Sequence, residues 1–186
     1  MSVADAQAAA EDRMRKSVEA LRHDLSSIRT GRASPALLER LTVDYFGTPT
    51  PIQALATIGV PEPRMITIQP WDKQSITAIE RAIQKSELGL TPNNDGTVIR
   101  LVIPQLTDDR RRDLVKQVQR RVEEGRVAVR NCRRDGVDAL RKEEKEKTIS
   151  EDEMRRGQDA LQKLTDRYVA QVEGVGHDKE REIMEP

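Results

Sequence analysis

The sequence predicts an α+β protein: an elongated three-helix bundle carrying a small α/β domain inserted between its first and second helices. Three observations lead there. In three separate stretches, apolar residues recur at alternating steps of three and four, the spacing of a helix's buried stripe. The stretch between the first two, residues 31–105, breaks that rhythm and gathers proline and glycine. The composition is 34% charged, 36% hydrophobic and 2% aromatic over 186 residues, which suits narrow helices with thin apolar seams better than a sandwich or barrel.

Met14, Val18, Leu21, Leu25 and Ile28 predict a first helix from Ala4 to Arg29. Thr30-Gly31 is expected to end it, because glycine accepts the left-handed conformation common at helix ends. In the inserted domain, Leu41, Val43 and Tyr45 alternate as a half-buried strand does. Gly47-Thr48-Pro49-Thr50-Pro51 reads as a turn. Residues 56–60 and 65–69 read as further strands. Ser75 is placed to cap a short helix with Ile76, Ile79 and Ile83 on one face, ending near Gly89. Asn93, Asn94, Asp95 and Gly96 predict a turn before a strand from Thr97 to Ile103, which Pro104 stops.

Thr107 is expected to cap the second long helix, reaching about Lys147, with Asp108 and Asp109 favouring its positive end. Its seam reads Val115, Val118, Val122, Gly125, Val129 and Cys132. Ser150 and Glu153 form an S-x-x-E capping box for the third helix. Its seam reads Leu161, Leu164, Tyr168, Val172 and Val175, with fraying expected near Gly174 and Gly176 unless His177 to Met184 continue the helix. The bundle thus comprises residues 1–30 and 106–186, and the α/β domain residues 31–105. Two short crossings, Gly31-Arg32 and Pro104-Gln105-Leu106, join them and are expected to act as a hinge.

Net charge is zero, so overall charge points to no polyanionic partner. Its distribution does more: from Thr107 to Arg134, ten cations face five carboxylates. Arg126, Arg130 and Arg133, spaced by four and three, form a stripe beside the seam. Such a row is either a solvated face or a ladder for phosphates, whose oxygens match the guanidinium fork. The single cysteine, Cys132, allows no internal disulfide and suits a reducing compartment. No apolar run reaches the ~20 residues of a membrane span, and the start of the chain is not a secretory signal. A cytoplasmic protein is expected. No phosphate-binding glycine loop occurs, His23 and His177 stand alone without metal-ligand spacing, and no catalytic constellation is found. No enzyme, cofactor or metal is therefore expected. Trp71 is read as a partner contact or a cap on the small domain's core.

Several longer motifs carry a resemblance. Arg29-Thr30-Gly31-Arg32-Ala33-Ser34-Pro35, Tyr45-Phe46-Gly47-Thr48-Pro49-Thr50-Pro51, Arg126-Val127-Ala128-Val129-Arg130-Asn131 with Arg133-Arg134-Asp135, and Gln162-Lys163-Leu164-Thr165-Asp166 lie along nearly the whole chain in order. Together they resemble the bacterial ribosome recycling factors. Cys132 and Gly136 depart from that pattern, which usually has a branched aliphatic residue at the first and a better helix former at the second. The resemblance implies an L-shaped monomer of tRNA-like dimensions. It would bind the post-termination ribosome across the A and P sites of the large subunit. There it would act with elongation factor G, the partner that hydrolyses GTP, to separate the two subunits. The resemblance also implies that Arg130, Arg133 and Arg134 contact large-subunit rRNA. Arg126 and Asn131 on the same helix, and Arg29 and Arg32 at the junction, are its further candidate RNA contacts. A helical protein-binding adaptor, chaperone-like in character, is the alternative; its binding would respond little to salt.

Overall fold

In the computed structural model, which describes residues 2–185, the chain divides into two compact units. One comprises the segment ending at Arg29 together with Asp108–Glu185; the other is Thr30–Thr107.

The first unit is built from three long helices, α1 (Val3–Ser26), α3 (Asp108–Lys145) and α4 (Glu151–Met184), each packed on the other two. Ser2 and Asp5 form a reciprocal capping box that satisfies the free amides at the start of α1. The helix ends three residues short of the expected Arg29. The Ser26 hydroxyl donates to the His23 carbonyl at 2.6 Å and that of Ser27 to Asp24 at 2.7 Å, so side chains serve carbonyls that continued helix would have used. Gly31, expected to stop the helix, instead turns the crossing with φ +79°. At the far end of α3, Lys147 takes a left-handed conformation. The Thr148 amide then reaches back to Glu143 and that of Lys147 to Glu144, a Schellman ending. Ser150 and Glu153 form the expected box and start α4 immediately.

The seams are mostly as the spacing predicts. Met14, Val18, Leu21 and Leu25 of α1 face Val118, Val122, Val129 and Cys132 of α3 and Leu161, Tyr168 and Val172 of α4, all buried. The differences cluster where a seam drifts. Leu114 is buried in place of Val115, which is half-buried. In α4, Leu164 and Val175 are only half-buried, whereas Thr165 is buried, its hydroxyl donating to the Leu161 carbonyl at 2.7 Å. Of the two readings for the end of this helix, the structure shows the continuation and not the fraying at Gly174 and Gly176: α4 runs on through His177 to Met184, and Ile183 is fully buried. Gly176 is a site of close approach: a Cβ there would overlap Val122 Cγ2. Gly136 acts likewise, since an added Cβ would lie 3.0 Å from Leu161 Cδ1.

Among its described residues the second unit holds two antiparallel sheets, one α-helix and three short 3-10 turns. Strands β1 (Thr42–Tyr45) and β2 (Thr48–Pro51) form a hairpin with Tyr45 opposite Thr48. Strands β3 (Ala56–Glu62), β4 (Met65–Pro70), β5 (Pro92–Asn94) and β6 (Ile99–Val102) form a sheet of order β3-β4-β6-β5. Helix α2 (Ile76–Lys85) packs near β1. Ile66, Ile68, Ile79, Ile83, Ile99 and Leu101, with Leu38, Val43 and Ile52, make its dry core. Asn93 and Asn94, expected as turn residues, form β5, and α2 ends at Lys85 rather than near Gly89. Ser75 does not cap α2 with its side chain; its hydroxyl donates to the Asp72 carbonyl, while the Asp72 carboxylate accepts from the Gln74 amide. Trp71 does not cap the core. It is 67% exposed, with its indole N–H donating to Thr57 at 3.0 Å.

Candidate nucleic-acid interface

Helix α3 presents the arginines. The buried valine seam fixes which way each one points, and the structure divides them into two sets. Arg126 and Arg133 lean toward α4. The Arg126 guanidinium donates to Glu123 at 2.8 Å along its own helix and to Glu173 of α4 at 3.1 Å. The Glu123 carboxylate first, and Glu173 with it, raises the Arg126 pKa above its ordinary value, against the effect of burial. Arg133 donates to the Gln162 side chain at 3.0 Å, and Gln162 in turn donates to Asp166 at 2.9 Å. Neither arginine is freely solvated; both are half-buried.

Arg130, Asn131 and Arg134 form the other set. All are exposed, and among the described residues none makes a side-chain hydrogen bond or ion pair. Arg130 and Arg134 are four apart, one turn along a single face. Lys116 and Arg120 continue that outward face, also exposed and unpaired, and Val127 lies on it with 46% exposure. Sequence spacing passed over these last three. Their signal is position on the wheel: 116, 120, 127 and 134 fall near one line when the valine seam is taken as the inside. On the α1 side the surface is closed off by pairs, Arg13 with Asp135 at 2.8 Å and Arg121 with the Asp24 carbonyl at 3.2 Å.

The junction residues fall elsewhere. Arg29 closes the helical unit and Arg32 lies in the other unit, both exposed. Within the second unit, Gly31 packs beside the segment that returns after β6: a Cβ on it would sit 3.3 Å from Leu106 Cγ and 3.7 Å from the Pro104 carbonyl. Gln105 is exposed between them. Among the described residues no helix is long and apolar enough to cross a membrane, and no group of three His, Cys, Asp or Glu side chains is placed to hold a metal.

A profile of the family described as ribosome recycling factor matches residues 21–184. The chain belongs to the ribosome recycling factor family. The ribosome-recycling factor of Brevibacillus brevis is 57% identical to it, over 94% of this chain and 95% of that one. That of Syntrophomonas wolfei is 58% identical over the same shares. Among solved structures, a solution structure of the ribosome recycling factor is 43% identical with a TM-score of 0.76, covering 100% of this chain and 99% of that one. Another similar chain comes from models for the T. thermophilus ribosome recycling factor and the E. coli elongation factor G bound to the E. coli post-termination complex. It is 45% identical with a TM-score of 0.64, covering 98% of this chain and 99% of that one.

Proposed function

We propose that this chain recycles ribosomes in the cytoplasm. It binds the post-termination ribosome across the A and P sites of the large subunit. With elongation factor G hydrolysing GTP, it then separates the two subunits. The observation that carries this reading is the whole-chain likeness to a recycling factor described together with elongation factor G on a post-termination complex. The role is mechanical and not catalytic: the chain supplies shape and charge, and the partner supplies hydrolysis. In this reading Arg130 and Arg134 grip rRNA phosphates directly, with Asn131 between them. Arg133 joins them by exchanging its Gln162 partner for a phosphate. Arg126, held by two carboxylates, orients the helix more than it contacts RNA. Arg29 and Arg32 add contacts near the crossings, and Gly31-Arg32 with Pro104-Gln105-Leu106 forms the hinge.

The test is a splitting assay. Post-termination complexes are mixed with this protein, elongation factor G and GTP, and free subunits are followed by light scattering. Subunit release that needs all three components supports the reading. No release, with salt-insensitive binding to some other protein, would favour the adaptor alternative.

A further inference from the structure

The second unit holds its own concentration of unpaired cations. Between β1 and α2 lies a depression of about 430 Å³. Arg40, Arg81 and Lys85 stand around it, and among the described residues none of the three makes an ion pair or side-chain hydrogen bond. Asp44 is the one carboxylate in the lining, so the site carries a net charge of about +2 by the ordinary ionisation of these groups. Its floor is apolar, made by Leu41, Ala78 and Ala82, which rest on the unit's core. Cations elsewhere in the chain commonly pair with an acid three or four residues away; these three pair with none.

A second, independent feature stands at the end of the same strand. The hairpin loop is the two residues Phe46 and Gly47, both with positive φ, 51° and 82°. Such type I′ loops favour Asn-Gly, and a phenylalanine there is strained. Its ring is 79% exposed, touching Tyr45 edge-on at 4.6 Å between centroids. Phe46 stands four residue steps along the chain from Thr42 in the pocket wall, about 13 Å at ~3.3 Å per step.

We propose that the cationic groove of Arg40, Arg81 and Lys85, together with the exposed Phe46 ring, binds a single strand of RNA. The cations track successive phosphates, and the ring stacks on a base further along. A nucleotide is a poorer fit. Among the described residues no glycine loop or helix N-terminus lines the groove; the helix end beside it is the C-terminal end of α2, whose partial negative charge offsets part of the cations' pull, so attraction rests on three spaced cations and not on a cradle for one phosphate group. Stacking on a ring accepts any base, so binding is largely tolerant of sequence. This contact lies on a different unit from the face on α3 and stands or falls without it.

The test uses the full-length, ¹⁵N-labelled protein and decauridylate, with deca-adenylate and inorganic phosphate as further arms. At about 1 mM strand, above the ~10⁻⁴ M of weak non-specific binding, amides of residues 40–46 and 78–86 should shift. Three phosphate contacts predict a log–log salt slope near −2, about a twentyfold loss of affinity between 50 and 200 mM salt. Arg81→Ala should flatten that slope by about 0.7. Phe46→Ala should weaken binding about fivefold or more without changing the slope, and Phe46→Tyr should restore it. Phe46→Asn, which suits the loop backbone, controls for folding and should bind as weakly as Phe46→Ala. Arg130→Ala with Arg134→Ala should leave these shifts intact. The proposal is overturned if the shifts are confined to α3 or absent. It is also overturned if inorganic phosphate alone reproduces them, or if the Phe46 variants bind like the parent.

Discussion

Arg126 and Arg130 differ by one helical turn, yet they stand in different surroundings. Arg126 is fixed between two carboxylates, and Arg130 is open to solvent. Replacing Arg130 and Arg134 with alanine should therefore leave the melting temperature nearly unchanged. It should flatten the salt dependence of large-subunit binding by about one log–log unit per lost phosphate contact. Arg126→Ala should do the reverse, costing about 1 kcal/mol or less for its screened, partly exposed pairs and leaving the salt slope alone. Thermal melts beside co-sedimentation at several salt concentrations separate the two; equal slopes for all variants would remove α3 from the RNA contact. Asp95 gives a second residue-scale expectation. The amides of Val98 and Thr97, then Arg100, hold its carboxylate well below the usual range, at a pKa of about 2. A depressed carboxylate contributes its stabilisation above the unfolded pKa and loses it as pH falls through the folded one. The turn before β6 should therefore loosen between about pH 4 and 2. Asp95→Asn should reduce that acid sensitivity, as read from the amide shifts of Thr97 and Val98 across the titration.

At the scale of elements, the bundle depends on glycines that let backbones approach. Gly176→Ala improves helix propensity by about 1 kcal/mol, yet its methyl would meet Val122, whose branched side chain has one good rotamer in a helix. The expected net result is destabilisation of about 1–3 kcal/mol by overpacking. Val122→Ala should relieve part of it, so a denaturation double-mutant cycle should show strong coupling. Additive effects would mean that the close approach is absent in solution. This same glycine shows where reading from sequence stops. Periodicity located α1, α3 and α4, because each seam repeats within its own helix. It could not see that Gly176 opposes Val122, so a packing glycine looked like a frayed end. Leu164 and Thr165 exchanged places for a related reason: a helix that drifts relative to a 3.5-residue repeat rotates its neighbours into the seam. The arginine row was legible from spacing, but its division into paired and open members depends on Glu173 and Gln162, far along the chain. The strand pair of Asn93-Asn94 with Arg100-Ile99 came from register, which local composition had coded as a turn.

For the whole molecule, the two units are joined by two crossings and nothing longer, and the proposed hinge can be tested there. In a Cys132→Val background, a cysteine pair of suitable geometry, one in each unit, can lock the junction. Large-subunit binding through α3 should persist in the oxidised protein, while ribosome splitting slows and recovers on reduction. Unchanged splitting in the locked form would make domain motion dispensable.

Cys132 itself offers a different kind of measurement. It is the chain's only thiol, and it lies 3% exposed in the seam of α3. A thiol reagent can reach it only when the helices part, so its labelling rate reports how often that happens. When reclosing outruns labelling, the rate gives the free energy of opening; with excess reagent it gives the opening rate itself. The natural protein therefore carries a clock for the breathing of its bundle, with no engineered probe. Slow labelling that tracks global unfolding would mark the bundle as one cooperative piece. Fast labelling under stabilising conditions would show that α3 opens locally around Cys132 without global unfolding.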